Sequence, residues 1–381
     1  MGPVSGVQRP EPLHVYRSEP EHRTGLPTRE LQGAIILGKL KVDMNTGGLR
    51  GTRRYAAATA ILATALLTGC AASGDATPAA KLPLGPPELA ATIDLDSQPA
   101  GVAVDPANES VYVVHRSGHT VSVIDTDTHE VKATIDVGVN LDDIAIDPST
   151  HTAYVTHFDI GDQDHHGMVS VIDTDTREII DTIEVDRNAT AVAVDAADHK
   201  LYVVHGFIPR VSVIDTETNT VTSTLDAGQG GALDVAVDPT THTAYVTVRS
   251  TVAVFESGQL TPSTVIDVGQ YSRLAIDPAA HRLYATTLEG SLVVIDTETR
   301  TKTATVKVGR NPIDVAVDPG LGSVYVLNNG DKSVSIIDKQ SWTLTHTIPV
   351  GANPQEIVID PGTHTTYVSN LGDDTVSAIT R

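Results

Sequence analysis

Short alternating runs of β-branched and apolar residues fill the chain from residue 89 to the C-terminus. In the first repeat these runs read AGVAVD, VYVVH, TVSVID and VKATIDVG, and turn-forming residues separate them. Val, Ile, Thr and Tyr dominate the runs, while Pro and Gly lie between them, as expected of strands and turns. No helical periodicity is present after residue 89. The pattern therefore predicts an all-β domain built from four-stranded units.

The four-strand pattern recurs with a period near 40 residues. Each unit contains an apolar-Ala-apolar-Asp anchor (Ile-Val-Ile-Asp in the last unit), usually followed by Pro, with its Asp at positions 105, 147, 195, 238, 277, 318 and 360. A unit of this length with four strands is typical of a β-propeller blade. The last repeat has only three strands, and the missing pattern, LAATIDL, occurs at 89–95. We therefore predict a seven-bladed β-propeller over 89–381, closed by the N-terminal strand.

A tetrapeptide in each repeat resembles that of the YVTN-repeat, or YncE-like, propeller family. It reads YVVH, YVTH, YVVH, YVTV, YATT, YVLN and YVSN, starting at positions 112, 154, 202, 245, 284, 325 and 367. The VSVIDTDT segments and the VGxNP turns are similar as well. The resemblance covers 89–381 and implies the propeller fold. It does not fix an activity, because members include secreted binding proteins, while related propellers include lactonases and cofactor-bearing oxidoreductases.

The segment before the propeller has the features of an export signal. In 44–69, three arginines precede a short apolar stretch, which ends in Leu-Thr-Gly before Cys70, the only cysteine. This order is typical of a bacterial lipoprotein signal peptide whose cysteine is lipidated. The Arg53-Arg54 pair leaves twin-arginine export open beside the general secretory route. We expect translation to start at Met44, residues 1–43 to be disordered if translated, and 70–88 to form a flexible tether.

Composition narrows the function classes. The chain has 26 basic and 48 acidic residues, a net charge of −22, and only 4% aromatic residues. A nucleic-acid partner is disfavoured, because phosphate binding needs a basic surface and single strands need aromatic platforms. A single cysteine excludes an internal disulfide and a CxxC metal motif. No apolar run reaches the roughly 18 residues of a membrane span, so we expect membrane attachment through the lipid alone.

Residues that recur in every blade are interpreted as structural. Four Asp-Thr-x-Thr segments begin at Asp125, Asp173, Asp215 and Asp296 and predict side-chain-capped turns. Five histidines follow the anchor aspartates by four residues and are interpreted as turn residues: His151, His199, His242, His281 and His364.

Two groups of residues suggest a metal site, each with a simpler alternative. His115, His157 and His205 end the second strands of three consecutive blades, where left-handed backbone at the start of a loop would explain them equally well. The long insertion of the second repeat offers oxygen and nitrogen ligands for a divalent cation, although a solvated polar loop explains it too. Its candidate ligands are Asp159, Asp162, Asp164, His165 and His166.

A ring of charged residues is the third departure from the repeat. The residue four positions before each anchor Asp is, in order, Gly101, Asp143, Ala191, Asp234, Arg273, Asp314 and Glu356. If these side chains reach the channel mouth, four carboxylates and one guanidinium converge there. Such a ring suits a cation, an amine or a basic segment, whereas a water-filled pore lined by solvated charges is the alternative.

These observations favour a non-catalytic binding scaffold, exported and anchored in the bacterial cell envelope through Cys70. We expect a monomer without a cofactor, with an envelope protein or a small molecule, such as a cationic one, as its partner. The alternative is a metal-assisted hydrolase or lactonase that uses the residues of the insertion. The sequence contains no GxSxG or CxxCH motif, and its single cysteine is accounted for by lipidation.

Overall fold

Seven four-stranded antiparallel sheets make up the described part of the chain. The computed structural model describes residues 85–158, 167–270 and 273–381. Within each of the first six sheets the strands follow chain order from the innermost to the outermost, so short hairpins join them. The predicted seven-bladed β-propeller is confirmed.

The strands of the first three blades are short and similar in length. Blade 1 contains β2 (Pro99–Asp105), β3 (Ser110–His115), β4 (Thr120–Asp125) and β5 (Val131–Asp136). Blade 2 contains β6 (Leu141–Asp147), β7 (Thr152–His157), β8 (Gly167–Asp173) and β9 (Glu178–Val185). Blade 3 contains β10 (Ala189–Asp195), β11 (Lys200–His205), β12 (Arg210–Asp215) and β13 (Thr220–Asp226).

The next three blades repeat this plan. Blade 4 contains β14 (Ala232–Asp238), β15 (Thr243–Val248), β16 (Thr251–Phe255) and β17 (Thr264–Asp267). Blade 5 contains β18 (Leu274–Asp277), β19 (Arg282–Thr287), β20 (Ser291–Asp296) and β21 (Thr301–Lys307). Blade 6 contains β22 (Pro312–Asp318), β23 (Ser323–Asn328), β24 (Ser333–Asp338) and β25 (Thr343–Pro349).

The helices of the described chain are two three-residue 3-10 turns. They span Pro106–Asn108 and Pro278–Ala280, directly after the inner strands of blades 1 and 5. An Asp side chain accepts a backbone hydrogen bond at the start of each, and a left-handed residue ends each one. No helix among the described residues has the length and hydropathy needed to cross a bilayer.

Blade 7 combines the two ends of the domain. It contains β26 (Pro354–Ile359), β27 (Thr366–Asn370) and β28 (Thr375–Thr380), and β1 (Glu88–Asp94) pairs antiparallel with β28 as its outermost strand. The predicted closure by the N-terminal strand is therefore confirmed. Ile93, 6% exposed, packs into the cluster between blades 7 and 1, whereas Leu89 on the same strand is 41% exposed.

Replacing Ile93 tests whether this strand stabilises the ring. Ile93→Ala should lower the free energy of unfolding by about 2–4 kcal/mol, because it leaves a cavity at the closing blade. Leu89→Ala, on the same strand but facing solvent, should change it by no more than about 0.5 kcal/mol. Urea unfolding of the two variants makes the comparison, and equal costs would show that β1 is not docked as described.

Apolar side chains of adjacent blades form the core. The tyrosine of the tetrapeptide is among the largest buried side chains in five blades: Tyr112, Tyr154, Tyr284, Tyr325 and Tyr367. Each lies in a cluster shared with a neighbouring blade, as when Tyr112 of blade 1 packs with Ile144 of blade 2. The channel is therefore enclosed by blades that pack face to face.

The repeated polar residues form turns and links between blades, as the sequence predicts. Backbone N–H groups donate to the aspartates that begin the Asp-Thr-x-Thr segments, for example from Thr218 to Asp215 at 2.8 Å. The five turn histidines all have positive φ, between 50° and 61°. Two of them also contact the preceding blade, His242 through Asp195 at 2.8 Å and His364 through Asp318 at 2.9 Å.

The inner strands all begin at one end of the ring and end at the other. The second strand of each blade runs antiparallel to the first and finishes where the inner strand begins. We call this end of the central channel the channel mouth. The anchor aspartates and turn histidines lie at the opposite end.

Candidate functional site

A β-bulge interrupts the inner strand of most blades close to the channel mouth. In blades 4, 6 and 7 the pairing shifts across Leu233, Ile313 and Gln355, so each of these residues is an extra one on its strand. The residue that follows is the fourth before the anchor, the position of the predicted charged ring. Bulges redirect side chains and are common beside functional sites.

Two aspartates of the ring each link their own blade to the next one. Asp143 Oδ1 accepts from the backbone N of Ile144 at 2.7 Å, and Oδ2 accepts from the backbone N of Val192, in blade 3, at 3.0 Å. Asp314 repeats this arrangement with Val315 at 2.8 Å and with Ile357, in blade 7, at 2.8 Å. The carboxylates therefore satisfy backbone donors on strand edges that have no strand partner.

The third aspartate makes the same link and also contacts the arginine of the ring. Asp234 accepts from the backbone N of Leu274, in blade 5, at 2.7 Å, and its other oxygen lies 3.4 Å from Arg273 Nη1. The three aspartates are 8–9% exposed. They belong to blades 2, 4 and 6, so each joins an even-numbered blade to the following odd-numbered one.

The odd-numbered blades carry different residues at this position. Gly101 lies against blade 2, and a Cβ there would be 2.8 Å from the Asp143 Cα, so a side chain would force the blades apart. Ala191 is buried. Glu356 is partly exposed, and no described residue makes a hydrogen bond to its carboxylate. Arg273 has a 42% exposed side chain.

The charged members of the ring influence one another across the channel. Burial raises the pKa of the Asp143 and Asp314 carboxyls to about 7, and the positive charge of Arg273 opposes that rise. Burial also raises the pKa of Glu356 well above its usual range, and the negative charges of Asp143 and Asp314 add to the effect. These groups belong to blades 2, 6 and 7, and each lies on the inner strand of its blade close to the channel mouth.

The arginine is held charged by this environment. Partial burial acts to lower the pKa of Arg273, but the carboxylates of Asp234 and Asp314 outweigh it, and the net shift is upward. When every group is ionised, four carboxylates face one guanidinium. The mouth then has an excess of negative charge, although protons can neutralise part of it near neutral pH.

A pocket of about 370 Å³ opens at the mouth on the side of blades 4 to 7. The bulged residues Leu233, Ile313 and Gln355 line it together with Leu288 and Arg273. The bulges thus direct apolar and amide side chains into the pocket, and the adjacent ring supplies charge. This combination of apolar lining and a few polar groups is typical of small-molecule sites.

A second pocket of about 520 Å³ lies over blades 1 and 2, and its charged residues are already paired. Arg116 and Asp142 line it and form a salt bridge of 2.5 Å. Phe158 lies at its edge, with its ring 6.1 Å from that of Phe207. The pairing leaves less uncompensated charge here than in the ring.

The structure describes some of the site residues predicted from the sequence, and others lie outside the described residues. The structure brings Asp143, Asp234, Arg273, Asp314 and Glu356 together at the mouth. The candidate metal ligands of the insertion, Asp159, Asp162, Asp164, His165 and His166, lie outside the described residues, and so does Cys70.

The three strand-ending histidines are structural, but not for the predicted reason. None of them has a positive φ, so the left-handed explanation is wrong. They are 0–5% exposed, and Nε2 of His115, His157 and His205 lies 2.7–2.9 Å from a serine Oγ on the next strand. Each Nδ1 bonds the carbonyl oxygen of a residue 18 positions earlier, so it carries the proton. Both ring nitrogens are therefore occupied.

This network was visible in the sequence as a correlation between two positions of the repeat. Asn328 and Asn370 replace the histidine in blades 6 and 7, and each donates to a serine at 2.9 Å. Blades 4 and 5 have Val248 and Thr287 at this position, and there the serine is absent as well. The serine partners are Ser122, Ser170, Ser212, Ser335 and Ser377.

Substitution of His205 tests this structural role. His205→Ala should lower the free energy of unfolding by about 2–4 kcal/mol, because it leaves a cavity and two unpaired buried groups. His205→Asn should cost less, since asparagine fills this position in blades 6 and 7. Urea unfolding at pH 7.5 compares the two, and equal costs would contradict the assignment.

Lowering the pH should reduce the stability difference between the wild type and His205→Asn. Burial lowers the pKa of His205. The unfolded state therefore takes up a proton below about pH 6.5 that the folded state resists, and stability is lost as the pH falls. The stability gap between wild type and His205→Asn should narrow from pH 7.5 to pH 5. A constant gap would show that His205 is not buried as a neutral ring.

Among the described residues, one cluster has ligand geometry for a metal, and it lies at the opposite end of the ring. One ligand atom each of Asp195, Asp198 and His242 lies within 4.8 Å of the others. However, Asp195 already accepts from His242, and Lys200 pairs with Asp198. These contacts make the cluster a link between blades 3 and 4.

Comparison with known proteins supports the fold and no further assignment. No family model matches the chain, and no curated protein matches it. Among solved structures, it is similar to a chain of hydrazine synthase from Kuenenia stuttgartiensis, with 18% identity and a TM-score of 0.67. The match covers 76% of this chain and 96% of the other. This likeness shows the fold alone.

Proposed function

We propose that the protein is an exported, lipid-anchored and non-catalytic binding protein of the bacterial cell envelope that takes a cationic group at its channel mouth. The observation that carries the binding role is Glu356. Its carboxylate has no hydrogen bond from a described residue, and the negative charges of Asp143, Asp314 and Asp234 act on it. A positively charged ligand would relieve the repulsion among these groups.

In this proposal Asp143, Asp234 and Asp314 do not contact the ligand, although their charge alone would suggest that they do. Their oxygens hold backbone donors of the next blade, so they act on a ligand through their negative charge, which depends on pH, instead of through direct contacts. Glu356 is then the group that meets the ligand. A substitution at Glu356 separates binding from folding, whereas a substitution at Asp314 would affect both.

Binding should be coupled to proton release. The pKa of Asp143 and of Asp314 is raised to about 7 and that of Glu356 is raised too. A cation binds the ionised carboxylates, so at pH 6 it must displace protons from them. Affinity should therefore rise with pH between about 6 and 8.

Calorimetric titration of the protein with 1,4-diaminobutane, a small diamine, tests this site. The full chain should bind it more tightly at pH 8 than at pH 6, with the logarithm of the affinity rising by up to about one per pH unit for each proton released. Glu356→Gln should weaken binding at pH 8 by about tenfold, the loss of one charge-assisted contact.

A matched variant makes this calorimetric experiment decisive. Glu298→Gln removes the same charge at an exposed turn at the opposite end of the ring. It should bind like the wild type. Equal affinity of wild type and Glu356→Gln at pH 8, or an affinity that does not depend on pH, would refute the cation site.

The export proposal rests on the sequence before the propeller. The basic, apolar and small residues of 44–69 lead to Cys70, and the first strand begins 18 residues later at Glu88. The resemblance to YVTN-repeat propellers, which include secreted binding proteins, agrees with this location. Attachment through a lipid would leave the ring intact, because closure uses residues from 88 onward.

Cys70→Ala tests the anchor. When the chain is expressed in a lipoprotein-processing bacterium, the wild type should partition into the detergent phase and carry acyl groups on Cys70. Cys70→Ala should move to the aqueous phase, since single-site lipidation is the proposed attachment. Ser73→Ala is the control and should behave as the wild type. Detergent partitioning of Cys70→Ala equal to that of the wild type would contradict the anchor.

A further inference from the structure

The ring of charged residues contains one positively charged side chain, Arg273, and a purely cationic ligand would have no use for it. Arg273 lines the 370 Å³ pocket, and its side chain is 42% exposed. Its one side-chain hydrogen bond to a described residue, with Asp234, is 3.4 Å long. A charge-assisted bond is usually 2.7–2.9 Å. Most of the five donors of the guanidinium are therefore available to a ligand.

The rest of the pocket combines an apolar wall with amide side chains. Leu233, Leu288 and Ile313 give it an apolar wall. Asn329 and Gln355 add amide groups whose N–H atoms already donate, to the Pro354 carbonyl among others. Their oxygens remain as acceptors for a ligand. The volume is near the lower end of the range for small-molecule pockets.

We propose that the channel mouth binds a small zwitterion with an apolar side chain, of the class of an aliphatic α-amino acid or its dipeptide. The carboxylate would pair with Arg273, the ammonium group would face Glu356, and the side chain would lie against Leu233, Leu288 and Ile313. This inference rests on the proposed cation site and adds an anion-binding partner and an apolar wall to it.

The charge balance favours a zwitterion over an anion or a simple amine. A free carboxylate entering the mouth would meet Asp143, Asp234, Asp314 and Glu356, and their repulsion would offset its contact with Arg273. A simple amine would leave most donors of the guanidinium unused, since its bond to Asp234 is 3.4 Å long. A molecule that carries both charges satisfies both residues and adds no net charge to the site.

The position of Arg273 and Glu356 within the ring agrees with this arrangement. They occupy blades 5 and 7, on either side of blade 6. Arg273 lines the pocket together with the bulged residues Ile313 and Gln355, and Gln355 directly precedes Glu356 in the chain. Both come from odd-numbered blades, where the ring residue is not used to hold the next strand. They are thus the two ring side chains whose charged ends are available for recognition.

Three probes of one shape test the proposal by calorimetry on the full chain at pH 8. L-leucine carries both charges, L-leucinamide lacks the carboxylate and 4-methylpentanoate lacks the ammonium group. Leucine should bind at least tenfold more tightly than leucinamide, and 4-methylpentanoate should bind least. Arg273→Gln should remove the preference for leucine over leucinamide, while Arg249→Gln, an exposed arginine at the same end of the ring, should retain it.

Each outcome bears on one of the two proposals. Equal binding of leucine and leucinamide would overturn the zwitterion and leave the cation site intact. Binding of 4-methylpentanoate at the strength of leucine, lost in Arg273→Gln, would overturn both. Failure of all three probes, with 1,4-diaminobutane still bound, would overturn the zwitterion alone. A thermal unfolding scan of each variant checks that the ring remains folded.

Discussion

The exposed inner edges of the blades are the constraint on which the centre of this propeller depends. Inner strands of neighbouring blades diverge around the channel and cannot pair with each other, so their backbone donors need other partners. Asp143, Asp234 and Asp314 provide them by accepting from the first strand of the next blade. Each bond fixes one blade relative to the next, and together they hold three buried carboxylates close to the channel mouth.

The aspartate links do not repeat at every junction of the ring. They join blades 2 to 3, 4 to 5 and 6 to 7, so the other four junctions use different contacts. At the junction of blade 7 with blade 1, Ser369 Oγ donates to the carbonyl of Ala100 at 2.6 Å, a neutral bond in place of a charged one. Blade 7 carries Glu356, whose carboxylate receives no hydrogen bond from a described residue. The charge that we assign to recognition thus lies on a blade whose ring residue does not hold the next strand.

The sequence repeat made most of the fold predictable. It did not predict which residues of the charged ring hold the next blade and which are available to a ligand. Blade number, strand order and closure follow from a period of about 40 residues and a displaced fourth strand. The convergence of Asp143, Asp234, Arg273, Asp314 and Glu356 was expected from their common position. The sequence could not show that three of these carboxylates hold backbone donors, because those bonds depend on the bulge and on the distance between blades. The histidine–serine correlation was present in the sequence, yet it requires the strand pairing to be interpreted as hydrogen bonding.

The aspartates that link the blades influence the ionisation of the two side chains that we assign to ligand binding, Glu356 and Arg273. Burial raises the pKa of Glu356, and the negative charges of the aspartates that join the blades raise it further. Arg273 partly offsets the same field and is itself stabilised as a cation by it. Neither side chain would have these properties in an open surface pocket, where water would screen the aspartates. The bonds that close the inner edges of the blades therefore also determine which charges a ligand meets at the mouth.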